Sequence, residues 1–200
     1  MAKAEIFSLA DQPVDARNRA LQSLRQGELI LLPTETVYGL GADSAIPAAV
    51  ERLSAVKGRL REKPFQWLIA TASFARENST GWDPRAEKLA GAFWPGPLTL
   101  VVPNDGEFIG WRVPRHDWLL DLLVELGRPL IASSANASGQ PPYAVFEPAY
   151  REFATIVDIA VDGGKLPVAV ASTVVILEPG GIRITREGAI PAGEIQRALR

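Results

Sequence analysis

Short, mostly apolar runs alternate with amphipathic segments along this chain of 200 residues. The apolar runs, which are typical of buried strands, are 29–32, 65–70, 98–102, 130–132, 156–161, 172–177 and 182–185. The amphipathic segments, which predict helices, are 14–26, 44–58, 83–93 and 116–126, with a short helix expected after Pro191. This alternation predicts an α/β fold built on a twisted, mixed sheet.

Glycine and proline indicate the turns between these elements. Residues 178–181, Glu-Pro-Gly-Gly, predict a β-hairpin between the last two strands. The polar segment 103–110 is expected to be a loop. Gly39 and Gly41 lie between a strand and a helix, but Ser44 replaces the third glycine of the dinucleotide-binding fingerprint. We therefore expect these two glycines to form a tight turn.

Composition narrows the possible classes of protein. A chain of this length is expected to form one domain, residues 1–200. Lys and Arg together number 21 and Asp and Glu 23, so any binding to nucleic acid must come from a local basic patch. No apolar run approaches a membrane span, and the N-terminus lacks the apolar core of a signal peptide. We expect a cytoplasmic protein with no membrane partner.

The supply of reactive side chains is limited. The chain has no cysteine, which excludes disulfides, thiolate nucleophiles and sulfur-ligated metals. Its one histidine, His116, excludes a His-rich metal site and leaves a single candidate base for any Ser-His-Asp triad. Because His116 stands at the start of a predicted helix, we expect it to orient the local structure rather than to perform chemistry.

The strongest charge signal is a run of cations at every second position, Lys57, Arg59, Arg61 and Lys63. Arginine offers a planar fork to phosphate and lysine a compact point charge, so the mixture suits a polyphosphate ligand. A solvated surface loop is the other interpretation, since charged runs usually form one. The run alone does not distinguish a polyphosphate site from a solvated loop.

Polar loops follow the ends of three predicted strands, where open α/β sheets bind ligands. They are 33–44, 133–142 and the segment that leads to Ser172 and Thr173. The second loop offers Ser133, Ser134, Asn136 and Ser138, which equally favour a capping turn. Composition and spacing thus predict a polyanion site but identify no reaction.

Two further arginines are candidates for that site. Arg112 lies between apolar residues, where a guanidinium is costly unless a carboxylate pairs with it. That carboxylate could belong to the protein or to a ligand. Arg186 follows a strand and either is solvated or adds a late cation to the phosphate site.

Read in order, seven motifs resemble the YrdC-type threonylcarbamoyl-AMP synthase family, in its short, single-domain form. They are PTETVYGLG at 33–41, KGR at 57–59 with KP at 63–64, WPGPLT at 94–99, RVPRH at 112–116, SSANASG at 133–139, STV at 172–174 and REG at 186–188. Each motif is weak alone, but the ordered set is specific and covers the core, 29–188.

The resemblance implies a fold and a reaction. The fold would be a largely parallel, twisted sheet flanked by helices around a positively charged cavity. The enzyme, a nucleotidyltransferase, would join L-threonine, bicarbonate or CO2, and ATP into threonylcarbamoyl-adenylate, with release of pyrophosphate. The product would feed t6A modification of tRNA through downstream transfer proteins. Mg²⁺ would arrive with ATP, with no dedicated protein metal site.

The resemblance also implies roles for individual residues. Three cations would hold the phosphates of ATP, and the first two would also be catalytic: Lys57, Arg59 and Lys63. Three other residues would complete the ATP site: Ser134, Asn136 and Arg186. L-threonine would contact Thr34 and Ser172, and its carboxylate would pair with Arg112. The phosphate-binding cations are expected to face Ser134 and Arg112 across a hollow.

The sequence departs from the family at four positions. Leu68 stands where longer members carry a histidine near threonine, and Ala169 stands where glycine is common. Phe108 and Pro142 replace polar contacts. Two other functions remain open: a catalytically silent relative that binds double-stranded RNA or tRNA, and a carbamoyl- or adenylyl-transferase that uses another amine.

Overall fold

A computed structural model describes residues 3–58, 65–137 and 139–200, and within them ten strands form one sheet. The strands are β1 (Glu5–Ser8), β2 (Ile30–Leu32), β3 (Gly39–Asp43), β4 (Gln66–Leu68), β5 (Leu98–Asn104), β6 (Glu107–Arg112), β7 (Leu130–Ser134), β8 (Ile159–Asp162), β9 (Thr173–Glu178) and β10 (Gly181–Arg186). The helices are α1 (Pro13–Arg25), α2 (Pro47–Lys57), α3 (Ala72–Glu77), α4 (Pro84–Phe93), α5 (Asp117–Leu126), α6 (Phe146–Phe153) and α7 (Ala192–Leu199).

The sheet mixes both strand directions, as the sequence predicts. Its order is β1-β8-β2-β3-β7-β4-β6-β5-β9-β10. Among the described strands, the parallel pairs are β1–β8, β2–β8, β4–β6 and β5–β9. The antiparallel pairs are β2–β3, β3–β7, β4–β7, β5–β6 and β9–β10. The two directions are nearly balanced, with four parallel and five antiparallel pairs among the described strands.

Local sequence explains where several helices begin and end. Asp83 accepts hydrogen bonds from the backbone N–H groups of Arg85 and Ala86 and so caps the start of α4. Gly58, with φ of 55°, and Gly127, with φ of 71°, end α2 and α5 in the left-handed conformation that glycine adopts without strain. These glycine stops confirm the predicted helix ends.

Helices cover both faces of the sheet, and alternation along the strands divides the core between them. In β2, Leu31 packs in one cluster with α2 and α6, whereas Ile30 packs in another with α1 and α5. The third cluster joins α4 and α7 to β5 and β9. Strands buried on both faces explain the all-apolar runs of the sequence. The one-domain organisation of residues 1–200 remains a prediction.

The predicted tight turn at Gly39 and Gly41 is wrong, because both glycines lie inside the buried strand β3. A Cβ at Gly41 would lie 2.8 Å from Leu32 Cδ2 and 3.2 Å from Ile30 Cγ1. The position needs glycine because the side chains of β2 occupy the space beside it. Close packing, rather than turn geometry, accounts for this glycine.

The polar segment 103–110 is also not a simple loop. Most of it forms the β5–β6 hairpin, which reverses at Asp105 and Gly106 with φ of 49° and 89°. An Asp-Gly pair with two positive φ angles is a strong hairpin signal, and the sequence contained it. Five elements had no predicted counterpart: β1, β3, β6, α3 and α6.

Candidate functional site

A cavity of about 590 Å³ lies against the sheet, between the polar loops that follow its strands. Its polar lining consists of Thr34, Thr36, Gln66, Thr99, Arg112, Ser133, Ser134, Ser172, Arg183, Thr185 and Arg186. The charged residues of the described lining are all arginines. A cavity with this lining favours an anionic ligand. The strand-end location expected from the sequence is therefore where the cavity lies.

Lys57, the last residue of α2, is 7% exposed and joins that helix to the loop after β7. Its Nζ donates to the backbone oxygens of Ser134, at 2.8 Å, and Asn136, at 2.5 Å. The side-chain Oδ1 of Asn136 lies 3.2 Å from the same Nζ. A buried ammonium needs such acceptors. Lys57 thus contacts the Ser134 loop directly, whereas it was expected to face Ser134 across a hollow. Arg59 and Lys63 lie outside the described residues.

Asn136 organises the loop that Lys57 holds. Its Oδ1 accepts from Ser134 Oγ at 2.6 Å, and its Nδ2 donates to the backbone oxygens of Ala137, at 3.0 Å, and Gln140, at 2.5 Å. The Asn136 amide therefore uses both ends to fix the turn, as expected for these residue types. Ser134 lines the cavity next to it. Contact of either residue with a nucleotide remains a prediction.

Arg112 is 3% exposed and has a protein carboxylate beside it. Its Nη2 lies 2.8 Å from Glu35 Oε1 and donates to Thr36 Oγ1 at 3.0 Å, and its Nε donates to the oxygen of Gly96 at 3.3 Å. Neither oxygen of Glu35 makes an aligned hydrogen bond within the described part of the chain. Arg112 Nη1 likewise has no hydrogen-bond partner there. Arg112 is thus neutralised by the protein and retains donor capacity at the cavity.

Thr34 begins the turn that carries Glu35 and Thr36. Its Oγ1 accepts from the N–H groups of Thr36, at 3.1 Å, and Val37, at 3.2 Å. The same hydroxyl donates to the oxygen of Val37 at 2.8 Å. This local bonding is typical of threonine in a turn. Thr34 lines the cavity, and its predicted contact with threonine is untested.

A polar cluster spans the cavity wall from β4 to β10. Ser172 Oγ lies 2.9 Å from Thr99 Oγ1 and accepts from Arg186 Nη2 at 3.0 Å. Arg186 Nε also donates to the backbone oxygen of Ser172, at 2.9 Å. Gln66 Nε2 donates to Thr99 Oγ1 and lies 3.5 Å from Ser172 Oγ. Arg186 is therefore anchored at the cavity, where the sequence left solvation as an alternative.

Sequence reasoning missed several residues of this wall. Gln66 is a polar residue inside an apolar run, and Thr99 ends the Trp-Pro-Gly-Pro-Leu-Thr motif, so both carried a detectable signal. Glu35 was visible only as part of the first motif. Leu68, at the position of the family's histidine, is fully buried and lines the cavity.

His116 has the structural role that was expected. Its Nδ1 accepts from the N–H of Leu119 at 3.4 Å, which caps the start of α5. Burial lowers the pKa of His116, against the opposing effects of Glu35 and Asp117. The neutral ring that results is the form that can accept this hydrogen bond.

Ala169 has a φ of +56°, in the left-handed region that favours glycine. We expect Ala169→Gly to raise the free energy of unfolding by about 1 kcal/mol, because glycine adopts this backbone without a Cβ clash. Chemical denaturation measures the change. Ala171→Gly is the matched control: Ala171 is outside the left-handed region, so that variant should lose stability. Equal effects at both positions would contradict the explanation.

Among the described residues, no helix combines the length and apolar character needed to span a bilayer. The same residues contain no group of three or more His, Cys, Asp or Glu side chains placed to hold a metal ion.

Comparison with known proteins gives a consistent family. The Sua5/YciO/YrdC family model, described as "Telomere recombination", matches residues 22–188. A Mycobacterium leprae protein named putative threonylcarbamoyl-AMP synthase is 35% identical over 98% of this chain and 94% of its own length. A Pyrococcus abyssi threonylcarbamoyl-AMP synthase is 35% identical over 88% of this chain. This chain spans only 55% of that archaeal protein.

Solved structures show the same fold. P. abyssi Sua5 complexed with L-threonine superposes with a TM-score of 0.89 at 32% identity, covering 98% of this chain and 60% of that one. Escherichia coli YciO superposes with a TM-score of 0.81 at 24% identity, covering 94% of this chain and 96% of that one. The second likeness supports the fold alone.

Proposed function

The chain belongs to the Sua5/YciO/YrdC family, and from that premise we propose that it is a threonylcarbamoyl-AMP synthase. One observation carries the proposal: Lys57 of the basic motif is bonded to the Ser134–Asn136 turn of the Ser-Ala-Asn motif. Lys57 and Ser134 are 77 residues apart in the sequence, so this bond brings two separate motifs together beside an arginine-lined cavity. The relative from M. leprae, which carries this activity in its name, matches nearly end to end.

The proposed reaction joins three substrates in two steps. The neutral amine nitrogen of threonine bonds to the carbon of CO2, with release of one proton to solvent, or to that of bicarbonate, with loss of water, and gives a carbamate. A carbamate oxygen then bonds to the α-phosphorus of ATP, and the bond from that phosphorus to the bridging oxygen breaks. Pyrophosphate leaves with the bond electrons. Positioning and cationic stabilisation can drive both steps, and neither needs a histidine base.

The positive charge of the cavity lining suits a reaction between two anions, the carbamate and ATP, that releases a third, pyrophosphate. Lys57, Arg59 and Lys63 would act on the phosphates, with Lys57 also holding the Ser134–Asn136 turn in place. Ser134 and Asn136 would contact the nucleotide, and Arg186 would close that side. Magnesium would be held by phosphate oxygens and water and would help to neutralise the triphosphate.

The amino acid would lie beside the nucleotide in the same cavity. Thr34 and Ser172 line that cavity, and Arg112 is the cation expected to meet the substrate carboxylate. Since Glu35 already neutralises Arg112 at Nη2, the carboxylate would be met through Nη1. The solved complex of P. abyssi Sua5 with L-threonine supports threonine as the amino acid.

The decisive experiment measures pyrophosphate release with each substrate omitted in turn. We expect release only when L-threonine, bicarbonate and MgATP are all present, and mass spectrometry should detect label from bicarbonate in threonylcarbamoyl-adenylate. Release without threonine would contradict the proposal. Preferential use of another amine from an amino-acid mixture would favour a different carbamoyl or adenylyl acceptor.

The same preparation tests the RNA-binding alternative. A catalytically silent relative would bind tRNA or double-stranded RNA with an affinity that falls steeply as salt is raised, without turnover of ATP. An active enzyme rejects that alternative whether or not it also binds RNA. Under the proposal the product passes to t6A-transfer proteins, and the enzyme works in the cytoplasm.

A further inference from the structure

We infer that Thr99, together with Gln66 and Ser172, forms a subsite for a carboxylate-type anion. The inference deepens the proposed function and rests on it. The ligand is the carboxylate of the amino acid or the group derived from bicarbonate, which share the same chemistry. The subsite is the polar cluster on the cavity wall formed by β4, β5, β9 and β10.

The side chains of this cluster are held in place by their neighbours. Thr99 is 4% exposed and Ser172 is 2% exposed, yet both line the cavity. Their hydroxyl oxygens lie 2.9 Å apart, and Arg186 fixes Ser172 through both its Oγ and its backbone oxygen. The hydroxyl positions are therefore set before any ligand binds.

The hydrogen bonds within the cluster leave one hydroxyl hydrogen without an acceptor. A hydroxyl has one hydrogen to donate and two lone pairs to accept. Ser172 Oγ accepts from Arg186 Nη2 and Gln66 Nε2, so its own hydrogen donates to Thr99 Oγ1. Thr99 Oγ1 accepts from both Ser172 and Gln66, which fills its two lone pairs. The hydrogen of Thr99 is left with no acceptor among the described residues.

In the structure the amide nitrogen of Gln66 faces Thr99 Oγ1, so the cluster ends in the Thr99 hydroxyl as a donor at the cavity. A buried donor without an acceptor is costly, so a ligand acceptor is expected.

Nearby charge indicates that this acceptor is an anion. Trp111 pairs with Leu100 in the antiparallel β5–β6 ladder, so the next residues along, Arg112 and Thr99, are also neighbours. Arg112 has a donor without a described partner at Nη1, and Arg186 lies on the other side of Ser172. Arg112 and Arg186 line the same cavity as Thr99, so an oxygen bound by Thr99 would lie near positive charge. Carboxylates accept such charge-assisted hydrogen bonds well.

The test compares Thr99→Val, which keeps the shape but removes the hydroxyl, with Thr99→Ser, which restores it. Pyrophosphate release is measured while one substrate is varied and the other two are saturating. For the valine variant we expect the KM of threonine or of bicarbonate to rise at least about tenfold, as for loss of a hydrogen bond to a charged group. The serine variant should stay within about threefold of wild type.

The substrate affected identifies the source of the anion. A rise in the KM of threonine assigns the subsite to the amino-acid carboxylate, and a rise in that of bicarbonate assigns it to the CO2-derived group. A rise confined to ATP, or no rise at all, overturns the inference. Absence of turnover in the wild-type protein would instead defeat the proposed function, so the two failures are distinguishable.

A second variant covers the case in which Thr99→Val does not fold. Gln66→Glu replaces the amide donors with a carboxylate, which should repel the ligand and raise the same KM by at least about tenfold. Circular dichroism confirms that each variant is folded. A folded Gln66→Glu enzyme with wild-type KM values for threonine and bicarbonate would overturn the inference.

Discussion

Lys57→Met is expected to reduce pyrophosphate release by more than about a hundredfold and to lower the free energy of unfolding by about 3 kcal/mol. Methionine is close to lysine in length but cannot donate to the oxygens of Ser134 and Asn136. Those buried acceptors would lose a charged donor, which accounts for the loss of stability. The Ser134–Asn136 turn would then lose its link to α2, and activity should fall further than stability alone explains.

Activity and unfolding are measured on the same preparations, so that the two effects can be separated. Lys88→Met is the matched control, because Lys88 makes one exposed hydrogen bond, to the backbone oxygen of Leu199. That variant should change stability by less than about 0.5 kcal/mol and leave turnover intact. A Lys57→Met protein that kept wild-type turnover would show that the link between the two motifs has no functional role.

Whether a feature of the fold can be predicted from the sequence depends on the range of the interactions that form it. Helix ends at Gly58 and Gly127 were predictable because capping is local. The β-hairpin at Asp105 and Gly106 is equally local, but its Asp-Gly signal stands in a segment whose polarity predicted a loop. The role of Gly41 was not predictable from local sequence, because it depends on side chains from β2.

The candidate site likewise contains some features that the sequence predicted and others that depend on contacts between distant strands. The family resemblance, which the ordered set of motifs carries, predicted that Lys57 faces Ser134 and that Arg112 meets a ligand; the structure places Lys57 against Ser134 and Arg112 at the cavity. Neither Glu35 as the partner of Arg112 nor the cluster of Gln66, Thr99 and Ser172 followed from spacing. Those contacts join separate strands and arise only when the sheet is assembled.

Arg112→Met is expected to lower the free energy of unfolding by about 3–5 kcal/mol, because it leaves the Glu35 carboxylate buried without its cation. Glu35→Gln should cost less, because Arg112, although left without its anion, still donates to Thr36 Oγ1 and to the oxygen of Gly96. If the pair is coupled, the double variant should be more stable than the sum of the two single losses predicts. Denaturant titration of all four proteins gives the coupling free energy.

The exposed pair Glu147 and Arg151 provides the control cycle, with side chains 65% and 77% exposed at a distance of 3.1 Å. Its coupling should not exceed about 0.5 kcal/mol. If the coupling free energy of Glu35 and Arg112 were equally small, the buried pair would contribute no more to stability than an exposed pair. That result would contradict the stronger coupling expected for a buried ion pair.

The same variants decide whether Glu35 competes with the substrate for Arg112. If the substrate carboxylate must share the guanidinium with Glu35, Glu35→Gln will lower the KM of threonine, because the arginine then has no protein anion to neutralise. If Glu35 serves only to orient Arg112 so that Nη1 meets the substrate, the same change will raise that KM. The KM of ATP serves as the internal reference, since neither role involves the phosphates. The direction of the threonine effect therefore distinguishes a competing carboxylate from a positioning one.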